Sequence, residues 1–101
     1  MPRIFHVYIV TNRPHGVLYT GVTNDLRRRV GQHRNGGGSR FAARYNCRRL
    51  VWAEPYASIE EAILREKRIK EWKRAWKIEL IEAANPDWRD LAEDMHLIVP
   101  A

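Results

Sequence analysis

Five residues of this 101-residue chain are of types and at spacings that could do chemistry: Tyr8, Tyr19, Arg29, His33 and Glu66. Glu66 lies three residues after Ile63 and three before Ile69, inside an apolar helical stripe. A carboxylate there costs stability unless it is paired or bound to a cation. The blander account is a bridge to Lys70 four residues on, worth a few tenths of a kcal/mol. Leu26, Arg29, Val30 and His33 share one face of a second helical segment by the 3.6-residue period, so Arg29 and His33 flank apolar positions. A histidine so placed is ordinarily a satisfied boundary residue. An arginine held beside it is built like a phosphate clamp, because its planar fork matches phosphate oxygens. Tyr8 and Tyr19 fall on two adjacent extended segments. They are either packing residues with wet hydroxyls or two phenols on one face, depending on a strand register that the sequence does not specify.

Charge points to the class of partner. The chain has 18 Lys+Arg against 12 Asp+Glu, a net charge of +6 and a pI near 10.0. From Arg27 to Arg49 the basic residues are Arg27, Arg28, Arg29, Arg34, Arg40, Arg44, Arg48 and Arg49, with no acid among them. A solvated face is the ordinary use of such a run. An unbroken arginine set also suits a polyanion, whose phosphates it would steer and hold. The single cysteine, Cys47, excludes an intrachain disulfide and a multi-cysteine zinc site. Apolar runs such as Leu50-Val51-Trp52-Ala53 are far shorter than the ~20 residues of a membrane span, and the start Met1-Pro2-Arg3-Ile4-Phe5-His6 carries no signal-peptide apolar region. The expectation is one domain over residues 1–101, cytoplasmic, with no membrane partner and with oligomeric state left open.

The elements that must position these residues are readable in outline. Residues 4–12 are β-branched and aromatic and apolar on both alternating sets, as in a strand covered on both faces. Asn12 to Gly16 is turn chemistry, and residues 17–22 form a second strand, completing a hairpin. Gly21 inside that strand marks a bulge or a close approach by another group. Thr23-Asn24-Asp25 caps a helix over 25–34. Residues 35–39 are a connector without the Gly-Lys-Ser/Thr ending of a phosphate-binding loop, followed by a short helical stretch to Tyr45. Residues 49–56 make a third strand, which Pro55 restricts to an edge or terminus. Ser58 and Glu61 resemble a capping box opening a long helix to about residue 83, with Ile59, Ala62, Ile63, Ile69, Trp72, Trp76, Leu80 and Ile81 as one buried stripe. Asn85-Pro86 stops it, and a last short helix runs from Trp88 to about Met95. The class is α+β: a small three-stranded antiparallel sheet flanked by helices. Trp72, Trp76 and Trp88 are expected in the core.

Tyr8, then Tyr19-Thr20-Gly21 eleven residues later, then Arg29, His33 and a helical Glu66, resemble the GIY-YIG nuclease domain found in homing endonucleases and in bacterial excision repair. The resemblance covers roughly residues 4–82, leaving 83–101 as a helical extension, and is closest to small single-domain bacterial members of that superfamily. Two departures stand out. The first tripeptide is His6-Val7-Tyr8, with only its tyrosine kept, and the middle of the second is Thr20. The family often has a late asparagine. Asn85 is the candidate here, although a helix-stop before Pro86 explains it equally well.

The resemblance implies a metal-dependent endonuclease hydrolysing phosphodiester bonds in DNA, in the setting of DNA repair or recombination. Glu66 would hold one divalent cation, Mg²⁺ or Mn²⁺; Arg29 would contact the scissile phosphate; Tyr8 and Tyr19 would orient or deprotonate the attacking water; His33 would relay a proton or hold a tyrosine hydroxyl. Phenols near pKa ~10 are poor bases at neutral pH unless nearby cations favour phenolate, the direction in which Arg29 and the metal act. Arg27, Arg28, Arg34, Arg40, Arg44 and Arg48 would follow the nucleic-acid backbone, which carries no sequence information. The alternative is a module of the same fold that holds DNA or RNA without cutting it.

Overall fold

The strand with apolar residues on both alternating sets lies in the middle of the sheet. The computed structural model describes residues 4–37 and 39–96. Its elements are β1 (Phe5–Thr11), β2 (Leu18–Thr23), α1 (Leu26–Arg34), α2 (Arg40–Arg44), β3 (Arg49–Tyr56), α3 (Ile59–Glu71), α4 (Arg74–Ala84) and α5 (Leu91–Asp94). The three strands form an antiparallel sheet in the order β2-β1-β3, as the sequence leads one to expect, with Pro55 on an edge strand. Gly38 of the expected connector and the end of the extension, 97–101, lie outside the described residues.

Alternation along β1 divides the core into two layers. Val7 and Ile9 pack with Val51, Trp52, Ala62, Ile69, Ile81 and Trp88 beneath α3 and α4. Tyr8 and Val10 pack on the opposite face with Leu26, Val30, Ala42, Cys47, Leu50 and Ala92, beneath α1, α2 and α5. Full burial of each large apolar side chain contributes roughly 1.5–3 kcal/mol. A β-bulge lets Val51 and Trp52, though consecutive, join the same layer: Ile9 pairs with Trp52 and Val10 with Leu50, leaving Val51 unpaired.

Side-chain caps set four of the helix starts, including that of α5, where Asp90 accepts from Ala92 N–H. Asp25 accepts from Arg28 N–H, Ser39 from Ala42 N–H and Ser58 from Glu61 N–H. The Ser58 box is half-formed: its hydroxyl donates to the Glu60 carboxylate, two residues on.

The long helix expected to reach residue 83 is two helices. Trp72 is extended (φ −67°, ψ 151°) and α4 starts afresh at Arg74. A continuous helix from Ile59 to Ala84 would span about 39 Å, more than the 33 Å greatest extent of the fold. No glycine or proline announces the break. It turns Trp72 onto the core, with the Arg65 guanidinium 5.2 Å above its ring. The single buried stripe is corrected accordingly: Ala62, Ile69 and Ile81 are buried, whereas Ile63 and Trp76 face solvent. Trp88 does sit in the core, in a left-handed conformation (φ 55°), its indole N–H donating to Glu82.

Asn85 explains how the chain leaves α4. Its side chain is buried; its Nδ2 donates to the carbonyls of Val51 and Arg89, and its Oδ1 accepts from Arg89 N–H. Val51 is the residue the bulge leaves without a register partner, and Asn85 bonds its carbonyl. It stops the helix and ties it to β3.

Candidate active site

Register settles the placement of the two tyrosines. Tyr8 pairs with Gly21 and Val10 with Tyr19, so residues 8, 10, 19 and 21 point to one face, the layer of α1 and α2. Gly21 is the close approach foreseen in the sequence, and no bulge interrupts this pairing. A Cβ there would stand 2.5 Å from the Tyr8 hydroxyl and 2.6 Å from Cζ. The tyrosine side chain therefore lies across Gly21 toward the open edge of the sheet.

α1 meets it there. The Tyr8 hydroxyl is 2.9 Å from His33 Nε2, and Arg29 Nε donates to it at 3.2 Å. Gln32 accepts from Arg29 Nη1 at 3.0 Å, fixing the guanidinium from the other side. The Tyr19 ring lies 6.4 Å from that of Tyr8 and 5.5 Å from that of His33, centroid to centroid. Buried His33 leaves Nδ1 without a partner. An orphaned N–H costs more than an orphaned lone pair, which favours the proton on Nε2. With that tautomer the Tyr8 oxygen accepts from both Arg29 and His33.

Glu66 arrives from the other layer. α3 packs on the Val7 face, yet it also runs along β2, the last strand at that edge. The Glu66 side chain is only 15 % exposed, 3.6 Å from Lys70, and the Lys70 ammonium sits 6.0 Å above the Tyr19 ring. The Glu66 charge reaches Tyr8, where it disfavours phenolate. The i,i+4 bridge of the blander account therefore forms, while the Glu66 charge also acts on Tyr8.

Burial sets the protonation states. The Tyr8 phenol is pushed up to about 12 by desolvation, against the opposing pull of the Arg29 hydrogen bond and charge. Arg29 acts toward phenolate, as expected, but desolvation outweighs it, and Tyr8 keeps its proton at neutral pH. Burial, aided by Arg29, lowers His33 to about 4, so its imidazole is neutral. His6, on the same strand set as Tyr8, is also lowered by burial.

The arginines divide. Arg27, Arg28, Arg40, Arg44 and Arg48 are exposed, Arg27 donating to the His96 carbonyl. Arg28 and Arg29, with Gln32, border an open depression of 540 Å³ beside the site. Arg34 is engaged within the chain by an ion pair with Asp90, which the sequence separates from it by 56 residues. Asn85 belongs to the opposite layer, clasped to Val51, and takes no part in the tyrosine network. Gln32 was not singled out in the sequence. Gln32 stands three residues from Arg29 on a helix, a spacing that brings side chains together.

Among the described residues no group of three or more His, Cys, Asp or Glu could cage a metal. The donor set fits a different kind of binding: one nearly buried carboxylate, already paired with a single movable ammonium, suits a hard cation that keeps most of its waters and shares a substrate phosphate.

A family model described as the GIY-YIG catalytic domain matches residues 4–79, a span that includes all five site residues. The chain belongs to the GIY-YIG family. It is 34% identical over 74 residues to a UPF0213 protein of Sodalis glossinidius, covering 73% of this chain and 68% of that one. It is 38% identical over 76 residues to one from Staphylococcus epidermidis, covering 75% and 92%. The solution structure of a UPF0213 protein from Bacillus halodurans aligns with a TM-score of 0.54 at 28% identity, over 89% of this chain and 95% of that one. GIY-YIG membership places the chain in a nuclease family whose general ligand is nucleic acid. No helix among the described residues is long and apolar enough to cross a membrane. Within the GIY-YIG frame, His6 takes the glycine position of the first tripeptide beside Tyr8, while the glycine of the second, Gly21, gives Tyr8 its room.

Proposed function

We propose that the chain is a divalent-metal-dependent endonuclease that hydrolyses phosphodiester bonds in DNA, in the cytoplasm, in the service of repair or recombination. The observation that carries this reading is the Tyr8 hydroxyl held between Arg29 and His33, beside Tyr19, whose ring lies under the Lys70 ammonium that pairs with the nearly buried Glu66. Hydrolysis requires that charge on the phosphoryl oxygens be offset and that a water be aligned for attack. Arg29, fixed by Gln32 and Tyr8, offers its remaining N–H groups to the scissile phosphate. Tyr8, protonated, donates its hydrogen bond into the site and orients the water or a phosphoryl oxygen. Tyr19, half-exposed and next to it, is the phenol open to solvent. Neutral His33 holds the Tyr8 oxygen. Glu66 would hold Mg²⁺ or Mn²⁺, which when bound offsets phosphate charge and makes water easier to deprotonate. Arg27, Arg28, Arg40, Arg44 and Arg48 contact the backbone on either side; Arg34, paired to Asp90, is not among them.

A second reading, a module that holds nucleic acid without cutting it, is favoured by Lys70 standing on Glu66. Plasmid nicking separates the two. Wild-type protein with Mg²⁺ or Mn²⁺ relaxes supercoiled DNA, and Glu66→Ala lowers the rate at least about a hundredfold with unchanged melting temperature, because the lost bridge is worth only tenths of a kcal/mol. Equal rates for the two proteins would place the cleavage elsewhere.

A further inference from the structure

α2 buries only Ala42, yet Phe41 within it and Tyr45 at its C-cap are both exposed. Phe41 is 47% exposed and Tyr45 39%. The four-residue spacing sets them together, with ring centroids 4.9 Å apart. The row continues inward: the Phe41 ring lies nearly parallel to that of Tyr19, at 28° and 6.2 Å between centroids. Three aromatic rings therefore lead from solvent to the phenol at the mouth of the site. Arginines border the row. Arg44 lies 5.6 Å over the Tyr45 ring, and Arg40 and Arg48 are exposed close by in the chain.

Neither packing nor solubility accounts for this strip, since an exposed apolar run of this kind is unfavourable in water. Alternating aromatic faces and guanidinium groups are what a nucleic-acid strand with unpaired bases requires: stacking surface for the bases and cations for the phosphates between them. A continuous duplex hides its base faces and would meet only the arginines. We propose that Phe41 and Tyr45 form a base-stacking platform and that the strand bound at this site is single-stranded DNA, or an unpaired segment of a larger DNA, laid along α2 toward Tyr19. This deepens the nuclease reading and rests on it for the direction in which the strand enters.

The test reads binding without cleavage. A fluorescein-labelled single-stranded oligonucleotide and the corresponding duplex are titrated with protein in EDTA, followed by anisotropy. Replacing both rings (Phe41→Ala with Tyr45→Ala) weakens single-strand binding by roughly tenfold or more and leaves duplex binding unchanged. Phe41→Trp retains single-strand binding, which excludes a folding defect at that position, and an oligonucleotide carrying 2-aminopurine is quenched by wild-type protein but not by the double variant. Equal weakening of both DNAs, or no weakening of either, would overturn the platform. Binding in EDTA is read independently of cleavage, so a failure of the wild-type protein to cleave with Mg²⁺ counts against the nuclease reading alone, and a lost single-strand preference with intact wild-type cleavage against this one alone.

Discussion

Tyr8 has its ring fully enclosed and its hydroxyl in contact with Arg29 and His33. The Arg29 charge pulls the phenol toward ionisation, burial pushes it the other way, and burial is the larger effect. A resting site that stores the proton on Tyr8 is the consequence. His33 responds to pH in a way that can be measured. Its folded pKa is near 4 against 6.5 unfolded, so between those values the unfolded chain binds the extra proton. Stability is therefore full above pH 6.5 and falls as pH drops toward 4, by up to ~3 kcal/mol for this group. Urea titrations of wild type and His33→Gln at pH 7 and pH 4.5 should show a smaller loss in the variant; equal losses would mean that His33 is not the neutral, enclosed group described here. The closeness of Tyr8 to Gly21 gives a second expectation. Gly21→Ala drives a methyl against a ring that His33 and Arg29 hold in place, costing about 1–3 kcal/mol and lowering DNA cleavage by displacing the hydroxyl. A thermal melt and a nicking assay check the two halves, and a fully active, fully stable variant would contradict the contact.

Two features of the fold bring the site together by their placement. β2, at the sheet's edge, lets a helix that packs on one layer present Glu66 to phenols on the other. The break at Trp72 keeps α3 and α4 within the fold and returns α4 to the Val51 layer, where Asn85 fastens it to the bulge. Asn85→Ala leaves buried Val51 and Arg89 carbonyls with one donor fewer each and the Arg89 N–H without its acceptor. A loss of about 2–3 kcal/mol is expected from denaturant midpoints, with little change in cleavage by the protein that remains folded. A variant that is stable but inactive would instead assign Asn85 to the catalytic layer.

Over the whole molecule, exposed arginine is concentrated on α1, α2 and the loop before β3, the same side as the tyrosines. Five of these side chains are exposed to solvent: Arg27, Arg28, Arg40, Arg44 and Arg48. Duplex binding that engages most of them falls with salt at a slope of log K against log salt of roughly −4. Arg40→Ala with Arg44→Ala flattens that slope by about 2, whereas Arg34→Ala leaves it in place because its charge is spent on Asp90. Anisotropy titrations across a salt series measure all three, and an unchanged slope in the double variant would remove α2 from the interface.

Much of this was legible along the chain because it depends on local chemistry. Strand alternation, the Asp25 and Ser58 caps, the turn at Asn12–Gly16 and the odd placement of Glu66 are set by neighbours a few residues away. What the tertiary structure alone decided lies between elements. Strand register put Tyr8 and Tyr19 on one face; the limited span of the fold broke a helix that has no breaker residue; Asp90 claimed Arg34 across 56 residues; and enclosure by two layers reversed the expected acidity of Tyr8. Each depends on distances and desolvation that arise only once distant segments meet, and one-dimensional spacing does not encode them.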